Sequence, residues 1–372
     1  MKICFDAKRA FCNTRGLGNY SRDTIRLVSQ FFPDNDYFLF TPKKDNKVKF
    51  EPPINSKVIL PESFFAKKFK SFWRTYSLSK LSENFKADVF HGLSNEIPSN
   101  IEKTSVKSVI SMHDLIFLRF PEQFPAFDRY FYKKKCYSSC NRADAVIAIS
   151  ENTKNDLIEF NVCDQSKIHV VYQGCNPIFA KDISDIQLDN VRKKYSLPQQ
   201  FILSVGAIER RKNHIAVIQA IKNGNIDIPY IIAGRKTDYL SVLEQEILKL
   251  GLNNKVKFLF DVPLNDLPAI YHLSSLVVYV SLFEGFGIPI IEAMNCKVPV
   301  ITSLGSCFSE TGGDAVVYCD PNNIEQISHS ILELLSDTDK RNELINKGLI
   351  HKEKFSDYTV ANNLMNIYKS IL

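Results

Sequence analysis

The chain has 372 residues, of which 45% are hydrophobic and 24% are charged, and its formal net charge is +6. This composition excludes disordered and fibrous classes, and the length exceeds the size at which one hydrophobic core usually stops growing, so two domains are expected. Residues 1–172 carry 27 Lys and Arg against 19 Asp and Glu, whereas the remainder carries 20 against 22. The net charge of +8 on the first half favours an anionic surface or ligand near that half.

The N-terminus and the cysteines indicate a protein of the cytoplasm. No secretory signal is expected, because Lys8 and Arg9 interrupt the apolar run that follows Met1. No apolar run approaches the roughly 18 residues that a membrane span needs. Nine cysteines are scattered without a Cys-x-x-Cys pair, which favours reduced thiols over a disulfide framework or a zinc site.

Short apolar runs alternate with amphipathic, helix-like segments along the chain. In the first half, the runs that predict strands are 3–7, 37–40, 89–91, 109–112 and 145–149. The pattern restarts in the second half, with predicted strands at 201–205, 230–233, 256–258, 276–280 and 298–301. Such alternation is typical of parallel sheets that are covered by helices on both faces.

The domain boundary is predicted where the strand pattern pauses. A further strand ends near Val171, and Gly174 and Pro177 follow it, which favours a hinge at 173–180. The expected organisation is one domain at 1–175, a second at 176–355, and a C-terminal helix at 356–372 that packs back on the first. In open parallel sheets, ligands bind beyond the carboxyl ends of the strands, so the residues that follow each strand are the most informative.

A glycine loop opens the first long predicted helix. Gly16 and Gly18 lie in the segment RGLGNY, shortly after the first strand. Glycines allow close approach to a phosphate or an acceptor, but Ser21 replaces the third glycine of the dinucleotide-binding motif. The spacing alone is therefore weak evidence.

Aromatic and basic residues interleave in two stretches of the first half. One stretch extends from Phe64 to Arg74, and the other covers residues 130–135, YFYKKK. Aromatic rings can enter the headgroup boundary of a membrane while lysines meet anionic lipids. Packed helices with solvated basic faces would give the same pattern, so both interpretations stay open.

Two histidines follow strands of the first half. His113 comes directly after the strand 109–112, and His91 ends the strand 89–91. A single histidine is more often structural than catalytic, although both lie where a ligand would bind.

Three basic residues follow the strand 201–205. Gly206 makes the turn, and the run Arg210, Arg211 and Lys212 comes next. Cations at this position can neutralise a diphosphate and the negative charge it acquires as it leaves. A solvated helix start is the alternative.

The strongest motif follows the strand 276–280. Its sequence, FEGFGIPIIEAM at 283–294, separates Glu284 from Glu292 by seven residues. The glycines permit close backbone approach, and Pro289 suits the first turn of a helix. Amides at a helix start bind phosphate or electron-rich oxygens, and carboxylates accept hydrogen bonds from sugar hydroxyls.

This Glu-x7-Glu segment resembles the hallmark of glycosyltransferase family 4, which comprises retaining enzymes of the GT-B fold. The likeness covers nearly the whole chain. It implies an α/β structure of two Rossmann-like, doubly wound domains facing each other across a cleft, with the acceptor on the first and the nucleotide-sugar donor on the second. It further implies transfer of mannose or another hexose from GDP-mannose or a UDP-sugar to a glycan or lipid-linked saccharide, in cell-surface polysaccharide synthesis. No metal would be required.

The resemblance also implies roles for individual residues. Glu284 and the amides after it would hold the donor sugar, and Glu292 would bind the ribose hydroxyls. Arg211 and Lys212 would bind the diphosphate, and His113 would contact the donor sugar across the cleft. The residues expected to carry catalysis are His113, Arg211, Lys212 and Glu284, and those expected to bind the donor are Gly16, Gly18, Gly206, Gly285, Phe286, Gly287, Ile288, Pro289 and Glu292.

The sequence departs from the family at one position and leaves other functions to consider. Ala207 stands where some relatives carry an arginine, which leaves the division of labour among the three basic residues open. Asp34 and Asp36 form an Asp-x-Asp that could suggest a metal site, but Pro33 before them favours a turn. A nucleotide-sugar epimerase or a sugar phosphorylase would share the architecture. No helix-turn-helix or aromatic RNA-binding signature supports nucleic-acid binding.

Overall fold

The structure is a computed structural model that describes all residues from Met1 to Leu372. The chain forms two units, one comprising Met1–Gly174 and Phe355–Leu372 and the other Cys175–Lys354. Each unit has its own parallel β-sheet with helices in the connections. None of the helices is both long enough and apolar enough to cross a bilayer.

The first unit contains seven strands: β1 (Lys2–Asp6), β2 (Asp36–Phe40), β3 (Ser56–Ile59), β4 (Val89–Gly92), β5 (Lys107–Met112), β6 (Ala145–Ala148) and β7 (Ile168–Val170). They form one parallel sheet in the order β3-β2-β1-β4-β5-β6-β7. Its helices before residue 175 are α1 (Lys8–Cys12), α2 (Gly16–Phe31), α3 (Phe64–Lys68), α4 (Lys70–Phe72), α5 (Leu78–Asn84), α6 (Ile116–Arg119), α7 (Ala126–Arg142) and α8 (Glu151–Glu159).

The second unit repeats this design with six strands: β8 (Ile202–Val205), β9 (Tyr230–Ala233), β10 (Val256–Leu259), β11 (Leu276–Tyr279), β12 (Val300–Ser303) and β13 (Val317–Cys319). Their order is β10-β9-β8-β11-β12-β13, again all parallel. The helices are α9 (Asp185–Lys194), α10 (His214–Asn223), α11 (Leu240–Leu250), α12 (Leu267–Leu273), α13 (Ile288–Asn295), α14 (Phe308–Gly312), α15 (Ile324–Ser336) and α16 (Thr338–His351).

The central strands are apolar because helices cover both faces of each sheet. All four residues of β6, AVIA, and all four of β11, LVVY, are buried. Such continuous apolar runs are what a parallel strand buried on two sides requires. Together with its doubly wound order, this burial confirms the predicted α/β fold class.

The strand order reverses once in each sheet. In the second unit β8 lies between β9 and β11, with Ile202 opposite Leu276 and Leu203 opposite Val277. The carboxyl ends of β8 and β11 therefore flank the point where consecutive crossovers leave in opposite directions. In sheets of this kind that point is where ligands bind.

The last helix, α17 (Asp357–Ser370), packs on α2 of the first unit. Arg26 of α2 donates to the Asp357 carboxylate at 2.8 Å. Tyr368 is fully buried, and its hydroxyl lies 2.6 Å from His91 Nδ1. This end of the chain is thus a part of the first unit's core.

Candidate functional site

The two strongest sequence motifs meet at the reversal point of the second sheet. A 3-10 turn at Arg210–Lys212 follows β8, and the Glu-x7-Glu segment follows β11. The Leu282 amide donates to the Arg211 carbonyl oxygen at 2.8 Å, which ties the two loops together. Adjacent parallel strands therefore bring residues more than seventy positions apart into one cluster.

Gly206 makes room for the basic side chain that completes the first loop. Its φ is +147°, and a Cβ atom added there would lie 3.2 Å from Lys212 Cε. Glycine tolerates this backbone conformation at no steric cost, whereas other residues would be strained. The glycine turn thus lets Lys212 fold back across the end of β8.

A glycine and a proline shape the start of α13. Gly287 precedes the helix with a φ of +101°, and Pro289 lies in the first turn, where its missing N–H has no intrahelical partner to lose. Gly285 and Ile288 are partly exposed, whereas Phe286 is buried and its carbonyl accepts from Cys307 Sγ at 2.8 Å. The helix start is thus anchored from behind while its positive end retains access to solvent.

Glu284 is a buried carboxylate between two cations. Its Oε2 lies 2.5 Å from Arg211 Nη1, and its Oε1 lies 2.7 Å from Lys212 Nζ. Burial raises the pKa of Glu284, but the charges of Lys212 and Arg211 outweigh that effect and lower it to about 2. The carboxylate is therefore ionised at any working pH and is no general acid.

The two cations are held by further contacts. Arg211 donates to the Phe283 carbonyl oxygen at 2.7 Å. Lys212 donates to the Tyr279 hydroxyl at 2.8 Å and lies 4.8 Å from the centre of that ring. Arg210, in contrast, is exposed. Of the three basic residues, Arg211 and Lys212 are thus the pair that faces Glu284.

Glu292 lies on the first turns of α13 and has a different environment. Its Oε2 accepts a hydrogen bond from the Tyr271 hydroxyl at 2.7 Å, and no cation lies within ion-pairing distance. Burial raises the pKa of Glu292 to about 7, against the smaller opposing effects of Tyr271 and Lys212. One motif therefore holds two carboxyl groups whose pKa values are driven apart.

A loop after β12 fixes the backbone of the motif. The Ser306 hydroxyl accepts from the Glu284 amide at 3.3 Å and donates to the Glu284 carbonyl oxygen at 3.0 Å. This double contact holds the residue before the glycines in one orientation.

The glycines of the first unit have different structural roles. Gly16 is exposed at the start of α2, and a Cβ atom there would meet nothing within 4 Å. Gly18 is buried, and a Cβ atom there would lie 1.9 Å from the Asn13 carbonyl oxygen. Gly18 is therefore required for backbone packing, whereas Gly16 is free to meet a ligand.

His113 is buried and neutral. Its Nε2 lies 2.9 Å from the Leu93 carbonyl oxygen, so Nε2 carries the proton and Nδ1 is the acceptor. The ring meets Tyr20 edge-on, with centroids 4.5 Å apart. Burial lowers the pKa of His113 to about 4. His91 is fully buried between Ser111 and Tyr368, which is the environment of a core histidine.

The first basic-aromatic stretch, Phe64 to Arg74, has an exposed part and a buried part. Phe64 and Phe65 are each 73% exposed, and neither α3 nor α4 has a buried residue. Trp73 is buried, and Arg74 makes ion pairs of 2.6 Å with Asp6 and with Glu96. Residues 64–72 are thus an exposed surface, whereas Arg74 belongs to the interior. Aromatic residues of the second stretch are also exposed, including Tyr130, Phe131 and Tyr132.

The sequence interpretation missed Tyr271 and Tyr279. Both tyrosines lie inside apolar runs and look like core residues, because no spacing rule connects their hydroxyls to partners on other loops. Tyr279 carried one usable signal: it ends a buried strand on the ligand side of the sheet.

Comparisons with known proteins agree with this architecture. Residues 16–178 match the family model described as Glycosyltransferase Family 4, and residues 188–350 match the one described as Glycosyl transferases group 1. The chain is 25% identical to O-antigen chain mannosyltransferase B of Escherichia coli over 99% of its length and 100% of that protein. It is 30% identical to O-antigen chain mannosyltransferase RfbU of Salmonella typhimurium, over 60% of this chain and 62% of that one.

A solved structure matches over the full chain. The crystal structure of Anabaena HepE in complex with UDP aligns with a TM-score of 0.76 and 19% identity, covering 100% of both chains. At that identity the likeness shows the fold. Together with the two family models, it shows that this chain is an enzyme of the family-4-like glycosyltransferases, with the GT-B fold.

Proposed function

We propose that this glycosyltransferase moves mannose or another hexose, with retention of configuration, from a nucleotide sugar to a glycan or lipid-linked saccharide in cell-surface polysaccharide synthesis. The names of the two relatives favour mannose and hence GDP-mannose. Anabaena HepE was solved with UDP bound, which supports UDP-sugars as the second candidate class of donor.

The observation that carries this proposal is the cluster after β8 and β11. Arg211 and Lys212 use only part of their hydrogen-bonding capacity on Glu284, since a guanidinium has five N–H donors and an ammonium three. The remaining donors and the positive end of α13 suit a diphosphate. Glu292, with Oε1 unpartnered, suits the ribose hydroxyls.

The chemistry of transfer follows from the same charges. As the sugar–phosphate bond breaks, negative charge grows on the leaving diphosphate, and Arg211 and Lys212 stabilise it. Glu284 is ionised and held on both oxygens, which makes it a positioning group for the sugar hydroxyls and a poor nucleophile. A phosphate oxygen of the departing nucleotide then takes the proton of the acceptor hydroxyl. We assign His113 to the donor sugar on the resemblance alone, with Nδ1 as its hydrogen-bond acceptor.

Peripheral membrane binding is a second part of the proposal. The exposed rings of Phe64 and Phe65 lie beside Lys67, Lys68 and Lys70, all of them exposed. This arrangement suits an anionic lipid surface, and a lipid-linked acceptor would be met there.

A panel of nucleotides tests the donor assignment. The melting temperature is measured with GDP, UDP, ADP and their sugars, because a ligand at 100 times its Kd adds about 2.7 kcal/mol to the stability. Stabilisation by GDP and GDP-mannose alone is the expected result. Stabilisation by none of the nucleotides would contradict the proposed function.

A further inference from the structure

The two carboxylates of the Glu-x7-Glu segment differ in what holds them. Glu284 is paired with two cations, whereas Glu292 receives a single hydroxyl, from Tyr271 on α12. Tyr271 is completely buried and its ring packs edge-on against Phe179, with centroids 5.7 Å apart. Its hydroxyl is therefore fixed in space before any ligand arrives.

We propose that Tyr271 is a positioning residue for the nucleotide: its hydroxyl holds Glu292 Oε2, so that Oε1 is presented to the ribose hydroxyls. This inference rests on the proposed function of the donor site. It adds a residue and a proton linkage that the motif alone does not contain.

The surroundings of Glu292 explain why its carboxyl group holds a proton near neutral pH and releases it when the ribose hydroxyls bind. Lys212, the cation whose charge lowers the pKa of Glu292, is engaged by Glu284 and by the Tyr279 hydroxyl. Directly after the helix comes Cys296, a buried thiol whose pKa burial raises, and Lys352 is engaged with Asn295. No cation pairs directly with Glu292, so the charge of Lys212 offsets only part of the effect of burial, which raises the pKa of Glu292 to about 7.

The sign of the pH dependence follows. Ribose hydroxyls donate hydrogen bonds, so they favour the carboxylate over the protonated carboxyl group. Below pH 7 the free protein holds a proton on Glu292, and the ligand must expel it to the solvent. As the pH rises above about 7, the protonated fraction declines and the ligand has less and less to expel. Affinity therefore rises with pH through about 7 and levels off above it.

The experiment is calorimetric titration with GDP-mannose and UDP-glucose from pH 6 to pH 9. Intact nucleotide sugars are used because a phosphate esterified on both sides has no titrating group near neutrality. At pH 6, titrations in two buffers with different ionisation enthalpies should show release of about one proton per ligand bound. Glu292→Gln should show weaker binding and no such release.

Tyr271→Phe tests the positioning role. Loss of a hydrogen bond to the ionised form should move the midpoint of the affinity profile up by about one pH unit and so weaken binding about fivefold at pH 7. Most of the loss should be recovered at pH 9. Tyr230→Phe is the matched control, because its buried hydroxyl contacts Ser204 and His214. It should leave the midpoint unchanged.

The outcomes separate the two claims. If the parent binds neither nucleotide sugar at any pH, the proposed function fails and this inference fails with it. If the parent binds but releases no proton, or if Tyr271→Phe loses affinity equally at every pH, Tyr271 has only a structural role. Unchanged affinity and midpoint in Tyr271→Phe would overturn the inference as well.

Discussion

At the scale of single residues, neighbouring charges determine what each carboxylate of the motif can do. Burial acts to raise the pKa of both Glu284 and Glu292, yet the net shift is upward only for Glu292. The difference is the position of Arg211 and Lys212, which pair with Glu284 at 2.5 and 2.7 Å. Spacing in the sequence identified both glutamates, but it could not say which would keep its proton.

Replacing Glu284 by Gln should separate binding from transfer. Turnover should fall at least tenfold because the sugar loses its positioning carboxylate, while affinity for free GDP or UDP should stay equal or increase because both cations lose a competing anion. Initial rates and calorimetry measure the two quantities. Glu209→Gln is the matched control, since this more exposed carboxylate pairs with Arg211 at 3.4 Å. Equal losses of turnover and nucleotide affinity in Glu284→Gln would refute the assigned role.

Lys212→Ala should slow the chemical step more than it weakens binding of the donor. The charge on the leaving diphosphate is greatest in the transition state, so kcat should fall at least tenfold with a smaller change in KM. Steady-state kinetics with varied donor concentration distinguish the two parameters. A higher KM with an unchanged kcat would show that Lys212 contributes to ground-state binding alone.

At the scale of elements, central strands were predictable and some edges were not. All ten strands predicted from apolar runs are present, each within two residues of its expected bounds. Strands β3 and β13 were missed because they are short edge strands with partly exposed residues, so their apolar runs are weak. The sequence also could not tell whether residues 64–72 are exposed or packed, because their exposure depends on which elements the fold places beside them.

Changing Lys67, Lys68 and Lys70 to Ser should abolish binding to vesicles that contain acidic phospholipid. Each lysine near such a surface contributes about 1 kcal/mol, so the three together account for more than a hundredfold in affinity. Sedimentation at low salt measures this, and raising the ionic strength should release the parent. Transfer to a water-soluble acceptor should be unaffected.

A matched triple variant controls for net charge. Lys43, Lys47 and Lys49 are exposed in the loop after β2, and their change to Ser removes the same three charges. This variant should still sediment. Residues 64–72 are not a membrane surface if the variant of Lys67, Lys68 and Lys70 still sediments with the vesicles. The same conclusion follows if the parent does not bind anionic vesicles.

At the scale of the whole molecule, the strand order of each doubly wound sheet determines where along its carboxyl edge a ligand can bind. The resemblance to family 4 predicted this fold. The motif after β11 and the basic turn after β8 come together because those two strands are neighbours in the sheet. Side-chain partners such as Tyr271 could not be anticipated, since they depend on how α12 packs against α13. The excess positive charge lies in the first half of the chain, whereas Arg211, Lys212 and Glu292, which we propose bind the diphosphate and the ribose, lie in the second unit.

The central claim is retaining transfer from a nucleotide sugar, and the anomeric configuration of the product tests it most directly. The enzyme is incubated with GDP-mannose, whose sugar is α-linked, and a soluble mannoside acceptor, and early product is examined by proton NMR. The account predicts an α-linked mannosyl product together with one GDP per bond formed. A β-linked product, release of sugar phosphate, or an epimerised nucleotide sugar without acceptor would contradict it.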